Sequence, residues 1–432
     1  MREIIKNKIN DLLKKGAADI MIGNFAVKFV TLCGSMFIVR LLSKTEYGVL
    51  GYVENLYSYI YILSGFGLAV SVLRYNVLAE SMEEKKGIFR YIVKRQTLIN
   101  FIIYAVVIVV NLFYPHAEKY SAAVYLLPIM ALALPFQDVT QSCLNNERAN
   151  YANRRYAIFS VTIAVISVVS RVIGSWLFGL NGTITFRVIA ESIITVILII
   201  MAYKKYFRDT DEVKPAAALK KQINKYGFQN MISNGIWVLF MITDIYLIGK
   251  LCADPTALAD YKVAYLFPTN MSIITASVGV FITPYFIQHE NDYKWIKKSF
   301  FRTFLANAAM ICSMALLMFV LAKPIIYIVF GKAYLNVIPL MRILIIAHTI
   351  HNCFKNLIGN LLAAMGHVRT NIIVSSIGFV SEVTMGIIVI PRYGTTGLAI
   401  GSIFVYLMMS VIMMVTFAVQ YKFFSRGGEE EE

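Results

Sequence analysis

Stretches long and apolar enough to cross a lipid bilayer recur twelve times along this 432-residue chain, and a chain patterned that way folds only in a membrane. Lipid offers no partner for a free backbone N–H or C=O, so each crossing must close its hydrogen bonds internally; roughly 20 helical residues cross the ~30 Å hydrocarbon layer. The apolar runs predict spans over 17–39, 49–73, 96–113, 122–143, 157–178, 184–203, 227–249, 263–288, 303–322, 336–365, 372–390 and 397–418. With 58% hydrophobic and 15% charged residues, the chain lacks the polar surface of a water-soluble domain.

Lys and Arg set the orientation, because cytoplasmic loops retain them. Of the 41 in the chain, 28 fall in the termini and on the connections that share a side with them, 8 on the opposite connections and five inside spans. Both termini are therefore expected to be cytoplasmic. The same distribution accounts for the +16 net charge without nucleic acid as a partner. Met1–Lys15 is charged and amphipathic, and is expected to lie on the inner membrane surface and not to act as a cleavable leader. Gly427–Glu432 is an acidic tail. Cys33, Cys143, Cys252, Cys312 and Cys353 are scattered and odd in number, which suits small apolar residues better than a disulfide framework or metal site.

The longest polar connection, Lys204 to Lys225, follows the sixth span and predicts an N-terminal lobe (1–203), a cytoplasmic linker (204–226), a C-terminal lobe (227–418) and a tail (419–432). At an offset of about 215 residues, Arg154 falls on Arg369, Gly179 on Gly394 and Gly182 on Gly397. Two six-helix units that both start on the cytoplasmic side form a parallel repeat, with a pseudo-twofold axis along the membrane normal. Transporters of this build place substrate between their halves and rock them to alternate access.

Ionisable groups inside spans cost about 2.5 to 3.5 kcal/mol each on insertion scales, so they face a cavity or a partner. They are Lys28, Arg171, Arg187, Arg342 and Lys355 against Glu54, Asp138, Glu191, Asp244 and Glu382. Arg187 and Glu191 are four apart and can neutralise each other on one helix face. Arg171 and Lys28 have no acid at helical spacing in their own spans, which makes them candidates for an anionic substrate. Polar stripes recur at helical spacing: Asn230, Asn234, Trp237 and Asp244 on the seventh span; Asp138, Gln141 and Asn145 on the fourth; His348, Asn352, Lys355 and Asn356 on the tenth. Each stripe suits either a hydrated cavity or interhelical hydrogen bonds of about 0.6 kcal/mol each. Glu54, Tyr57 and Tyr61 on the second span offer an aromatic face for sugar rings. His348 and His351 lack a convincing third metal ligand.

The chain has no phosphate-binding Gly-rich loop followed by Lys-Ser/Thr, and its extracytoplasmic connections are short, so ATP hydrolysis and a soluble catalytic domain are not expected. Transport is the leading class; no cofactor is called for.

Five segments carry a family likeness: Val39-Arg40-Leu41-Leu42-Ser43-Lys44-Thr45-Glu46-Tyr47-Gly48, Asp244-Ile245-Tyr246-Leu247-Ile248-Gly249, Asp260-Tyr261-Lys262-Val263-Ala264, Phe330-Gly331-Lys332-Ala333-Tyr334 and Tyr393-Gly394-Thr395-Thr396-Gly397. In order and spacing they resemble the Wzx-type polysaccharide flippases of the multidrug/oligosaccharidyl-lipid/polysaccharide (MOP) superfamily. Ala259-Asp260 departs from the Val-Gly that often precedes the third motif's Tyr. The resemblance implies an all-α, twelve-helix, two-lobe protein of the bacterial cytoplasmic membrane. It would carry an undecaprenyl-pyrophosphate-linked oligosaccharide from the cytoplasmic to the outer leaflet, alongside a glycan polymerase and chain-length machinery.

On that reading Lys28, Arg171 and Arg342, with Arg187 and Lys355, are candidates for the pyrophosphate. Asn230, Asn234, Trp237, Gln141, Asn352, Tyr57 and Tyr61 are candidates for the glycan or cavity, and Asp138, Asp244 and Glu382 for coupling to H⁺ or Na⁺. The alternatives are a multidrug cation exporter of the same superfamily, which calls for an acidic aromatic cavity, and a glycan-processing membrane enzyme, which calls for a long outer loop.

Overall fold

The computed structural model describes residues 17–421 apart from 114–117, 253, 290–291 and 366, and every regular element among the described residues is helical. Met1–Lys15 and Gly427–Glu432 lie outside the described residues. The first span is α1 (Ala17–Leu41). The second is α2 (Lys44–Ile62) and α3 (Leu68–Leu78), bent by 44° across a short turn at Ser64–Gly67. The third is α4 (Met82–Phe113), and the fourth is α5 (Ala123–Ala131) with α6 (Leu134–Ala149). The long α7 (Asn153–Ala202) holds the fifth and sixth.

The seventh span is α8 (Ala217–Leu251), the eighth α9 (Pro255–Asn270) with α10 (Ser272–Gln288), and the ninth α11 (Tyr293–Val320). After the short α12 (Ala322–Phe330), the tenth is α13 (Ile338–His351) and α14 (Leu357–Ala364), joined by a wide π turn at Asn352–Asn356. The long α15 (Val368–Gln420) holds the eleventh and twelfth. By length and apolarity seven of these helices can cross a bilayer, or eight with α2–α3 taken as one. Each of the twelve expected spans falls on helix.

Both long helices double back. α7 turns at Phe178–Gly179, so that the Ser175 and Thr183 hydroxyls meet at 2.6 Å. α15 turns at Gly394, so that Ser402 donates to Glu382 twenty residues earlier at 2.7 Å. Gly179 (φ 58°, ψ −137°) and Gly394 (φ 60°, ψ −150°) share a backbone conformation close to the region reserved for glycine.

The helices are inverted relative to those of a soluble protein. On α4, Leu98, Ile102, Val106 and Val109 are exposed, whereas Gln96, Asn100 and Asn111 are buried. Lipid solvates the first set; the second needs protein partners, which it finds in Ser142, Asp138 and the Val124 carbonyl. The Leu42-to-Tyr47 motif has an equally direct reason. Ser43 caps α2 by accepting from the Glu46 N–H while the Glu46 carboxylate accepts from the Ser43 N–H, a reciprocal pair that starts the second span at a fixed residue.

Two compact units divide the chain between Gly235 and Ile236, inside α8, where a boundary at 227 was expected. Connection 204–226 and the first part of α8 belong to the first unit for reasons visible at α4. Lys86 donates to the carbonyls of Phe207 (3.1 Å) and Thr210, Arg90 pairs with Glu212, and the Val213 N–H donates to the Glu83 carbonyl. Ile223 is wholly buried beside Leu68, Val72 and Phe89. In the second unit, Phe300, Leu361, Met409, Met413 and Phe417 lie in the core. The five cysteines are unbridged.

Candidate functional site

In the first unit four charges of alternating sign gather from three spans. Arg171, on the first limb of α7, reaches Glu54 of α2 at 2.5 Å, and Arg187, on the second limb, reaches Glu191 one turn later at 2.9 Å. Glu54 is close enough to Arg187 to interact with it, which makes the two pairs one cluster. Gln137 of α6 donates to both Glu191 oxygens at 2.9 Å, and accepts from the Tyr57 hydroxyl at 2.7 Å. The Arg187 guanidinium lies 5.5 Å from the Tyr57 ring centre, a cation–π contact, and Tyr61 stacks on Tyr57 at 6.1 Å. The arginine side chains are each 18% exposed, so neither is sealed inside the packed core.

Arg171 is therefore paired, contrary to the expectation from its own span, because its acid comes from another helix. Lys28 is exposed on α1 and makes no ion pair or hydrogen bond among the described residues. Gln141 is exposed too, although Asp138 and Asn145 on its stripe are buried. The α6 stripe is not one cavity wall. Asn145 donates to the Ala69 carbonyl at 2.9 Å and Asn146 accepts from Asn76 at 3.0 Å, which is interhelical bonding.

Asp138 holds the break in the second span. Gly65, Phe66 and Gly67 all have φ between 49° and 68°; for a phenylalanine this left-handed backbone costs on the order of 1–2 kcal/mol. One Asp138 oxygen accepts from Ser64 Oγ (2.6 Å) and Asn100 Nδ2 (2.7 Å), and Asn100 Oδ1 accepts from the Gly65 N–H (2.7 Å). The Gly65 N–H at the break is thereby bonded inside the protein, on an Asn100 that Asp138 holds in place.

In the second unit two acids face each other. Asp244 of α8 and Glu382 of α15 are 8% and 2% exposed, and their carboxyls meet within hydrogen-bonding range. Tyr261 donates to Asp244 (2.9 Å) and Ser402 to Glu382 (2.7 Å), whereas Asp244 Oδ1 and Glu382 Oε2 receive no donor among the described residues. Two buried carboxylates in contact repel when both are ionised, so the pair calls for a shared proton or a cation between them. Tyr265 and Tyr406 lie beyond, with His348 edge-on to Tyr265 at 5.1 Å and His351 at 4.7 Å from Tyr406.

The remaining candidates are held elsewhere. Arg342 donates to the Phe319 carbonyl (3.3 Å) in the last turn of α11 and covers the Phe319 ring at 4.9 Å. Asn352 is fully buried: its side chain donates to His348 O and accepts from Asn356, and its carbonyl accepts from Asn307, which ties the π turn together. Lys355 is buried in that same turn, beside His351. Asn230 donates to the Tyr226 carbonyl of its own helix (3.1 Å), and the side chains of Asn234 and Trp237 lie outside the described ones. Gln137 was missed because it sits 100° around α6 from Asp138; only its one-turn spacing from Gln141 hinted at a second polar face.

The sequence profile of the polysaccharide biosynthesis protein family matches residues 37–339, which span both the arginine cluster and Asp244. The chain belongs to that family. An uncharacterized membrane protein of Methanocaldococcus jannaschii, MJ1068, is 25% identical over 403 residues, 86% of this chain and 77% of that protein. Among solved structures, the lipid II flippase MurJ in an inward closed conformation aligns with TM-score 0.73 at 15% identity, covering 93% of this chain and 89% of MurJ. An inward-facing multidrug resistance MATE transporter of the MOP superfamily aligns with TM-score 0.76 at 12% identity, covering 93% and 96%. A MOP transporter from Pyrococcus furiosus, described as having a binding pocket of reverse polarity, aligns with TM-score 0.60 at 12% identity, covering 94% and 95%. This family member has the MOP transporter fold.

Proposed function

We propose that this polysaccharide biosynthesis protein is a flippase that moves a polyprenyl-diphosphate-linked oligosaccharide, undecaprenyl in a bacterial host, from the cytoplasmic to the outer leaflet by alternating access. The observation that carries the reading is the pair of arginines, Arg171 and Arg187, clustered with Tyr57, Tyr61 and Gln137 inside the spans of one unit. A diphosphate crossing a low-dielectric layer needs guanidinium donors. A glycan needs an amide and aromatic faces, and Gln137, Tyr57 and Tyr61 supply both.

Asp244 and Glu382 are the candidate site for a coupling cation, H⁺ or Na⁺. The MurJ likeness supports the lipid-linked class, and the family supports a glycan cargo. A cation exporter is the poorer reading for the first unit, because each acid of its cluster is matched by an arginine. Both termini are proposed to be cytoplasmic, with a glycan polymerase and chain-length machinery acting downstream.

The test is complementation. Arg171→Gln and Arg187→Gln, each expressed at the wild-type level in a flippase-null strain, are expected to lose surface-glycan export. Full export by both would remove the arginines from the diphosphate role.

A further inference from the structure

Arg171 and Arg187 are neutralised in the ligand-free protein, and this bears on how an anion could bind there. A lone guanidinium inside a span is costly, so an empty site must supply its own counter-charges. Glu54 and Glu191 do so, one for one, and the cluster as a whole is neutral. A diphosphate brings about two further negative charges into the same low-dielectric space. If both carboxylates stayed in place, the site would hold two guanidiniums against four negative charges.

The geometry allows the carboxylates to leave. The Glu54 side chain is 24% exposed and that of Glu191 12%, so neither carboxylate is sealed inside the packed core of the unit. Arg171 also has a spare donor: its buried Nε has no acceptor among the described residues, although a terminal nitrogen holds Glu54. A planar guanidinium with one edge nitrogen unfilled is arranged for a second, anionic acceptor. Among the described residues, the other titratable groups that interact with the cluster include Tyr57, Tyr61 and Asp138. Asp138 is already bonded to Ser64 and Asn100, and neither tyrosine can replace a carboxylate as counter-ion.

We infer that Glu54 and Glu191 are internal stand-ins for the cargo's diphosphate, which seat on Arg171 and Arg187 when the site is empty and are displaced when the headgroup binds. This rests on the diphosphate assignment made above and adds an exchange step to it. The exchange keeps the arginines neutralised throughout the cycle. It also sets affinity, because each incoming headgroup competes with a tethered carboxylate.

The test is a double-substitution cycle on the full-length protein in detergent, with farnesyl diphosphate as the probe and dissociation constants read by titration calorimetry. Glu54→Gln keeps an acceptor beside Arg171 but removes its charge, and is expected to bind the probe about three- to tenfold tighter than wild type. In an Arg171→Gln background the same change is expected to give no gain, because the stand-in then has nothing to vacate. If Glu54→Gln does not yield folded protein, Glu191→Gln with Arg187→Gln reads the same quantity. Unchanged affinity in Glu54→Gln, or an equal gain with and without Arg171, would overturn the stand-in role while leaving the diphosphate reading intact. Failure of wild type to bind the probe would overturn that reading, and the inference with it.

Discussion

Gly179 and Gly394 stand at equivalent places in the two halves and carry the same backbone, φ 58° with ψ −137° and φ 60° with ψ −150°. Each reverses a long apolar helix, so one turn device joins the fifth span to the sixth and the eleventh to the twelfth. A Cβ at Gly394 would meet no atom within 4 Å, so the demand for glycine there comes from the backbone and not from crowding.

Gly394→Ala is accordingly expected to destabilise the protein by about 1–3 kcal/mol through backbone strain alone. Thermal unfolding of the purified variant reads this. An unchanged midpoint would mean that the turn relaxes freely.

Asp138 separates a structural from an ion-carrying role. Asp138→Asn keeps one oxygen to accept from Ser64 and Asn100, and should leave stability within about 1 kcal/mol of wild type. Asp138→Leu leaves those donors buried and unbonded, and should cost about 2–4 kcal/mol. If Asp138→Asn folds normally but loses ion-dependent export, Asp138 carries an ion as well as holding the second span.

The Asp244–Glu382 pair makes a different forecast. Glu382→Gln replaces one of two facing acceptors with a neutral group that can donate to Asp244, so the purified variant should be at least as stable as wild type while export loses its dependence on the cation gradient. A variant that still responds fully to the gradient would remove the pair from coupling.

At the linker, Lys86 donates to two backbone carbonyls, while in the Arg90–Glu212 pair the arginine is exposed and the glutamate partly so. Lys86→Ala should therefore speed trypsin cleavage at Arg208 or Lys214 several-fold, and Arg90→Ala should change it little, since exposed ion pairs contribute about 0–1 kcal/mol. Equal cleavage of the two variants would show that the linker is held by other contacts.

Much of this architecture was legible in the residues. Apolar length located the spans, and the repeat offset placed Gly179 on Gly394 before their dihedral angles were known. The site was legible only where its contacts lie within one helix, as for Arg187 and Glu191. Glu54 meets Arg171 across 117 residues of sequence and Asp244 meets Glu382 across two helices, so helical spacing could list the charges but not pair them. The polar stripes left two readings open for a related reason: a buried Asn145 bonded to a neighbouring helix and an Asn facing water have the same periodicity. The break at Gly65–Gly67 gave no separate signal because its apolar flanks continue the hydropathy of one span.

The most direct measurement is leaflet translocation of a fluorescent undecaprenyl-diphosphate-linked sugar by purified protein in sealed vesicles. Wild type is expected to move the lipid well above protein-free vesicles, and the folded Arg171→Gln/Arg187→Gln double variant is expected to fall to that background. Wild-type translocation no faster than protein-free vesicles, or a double variant as fast as wild type, would contradict the account.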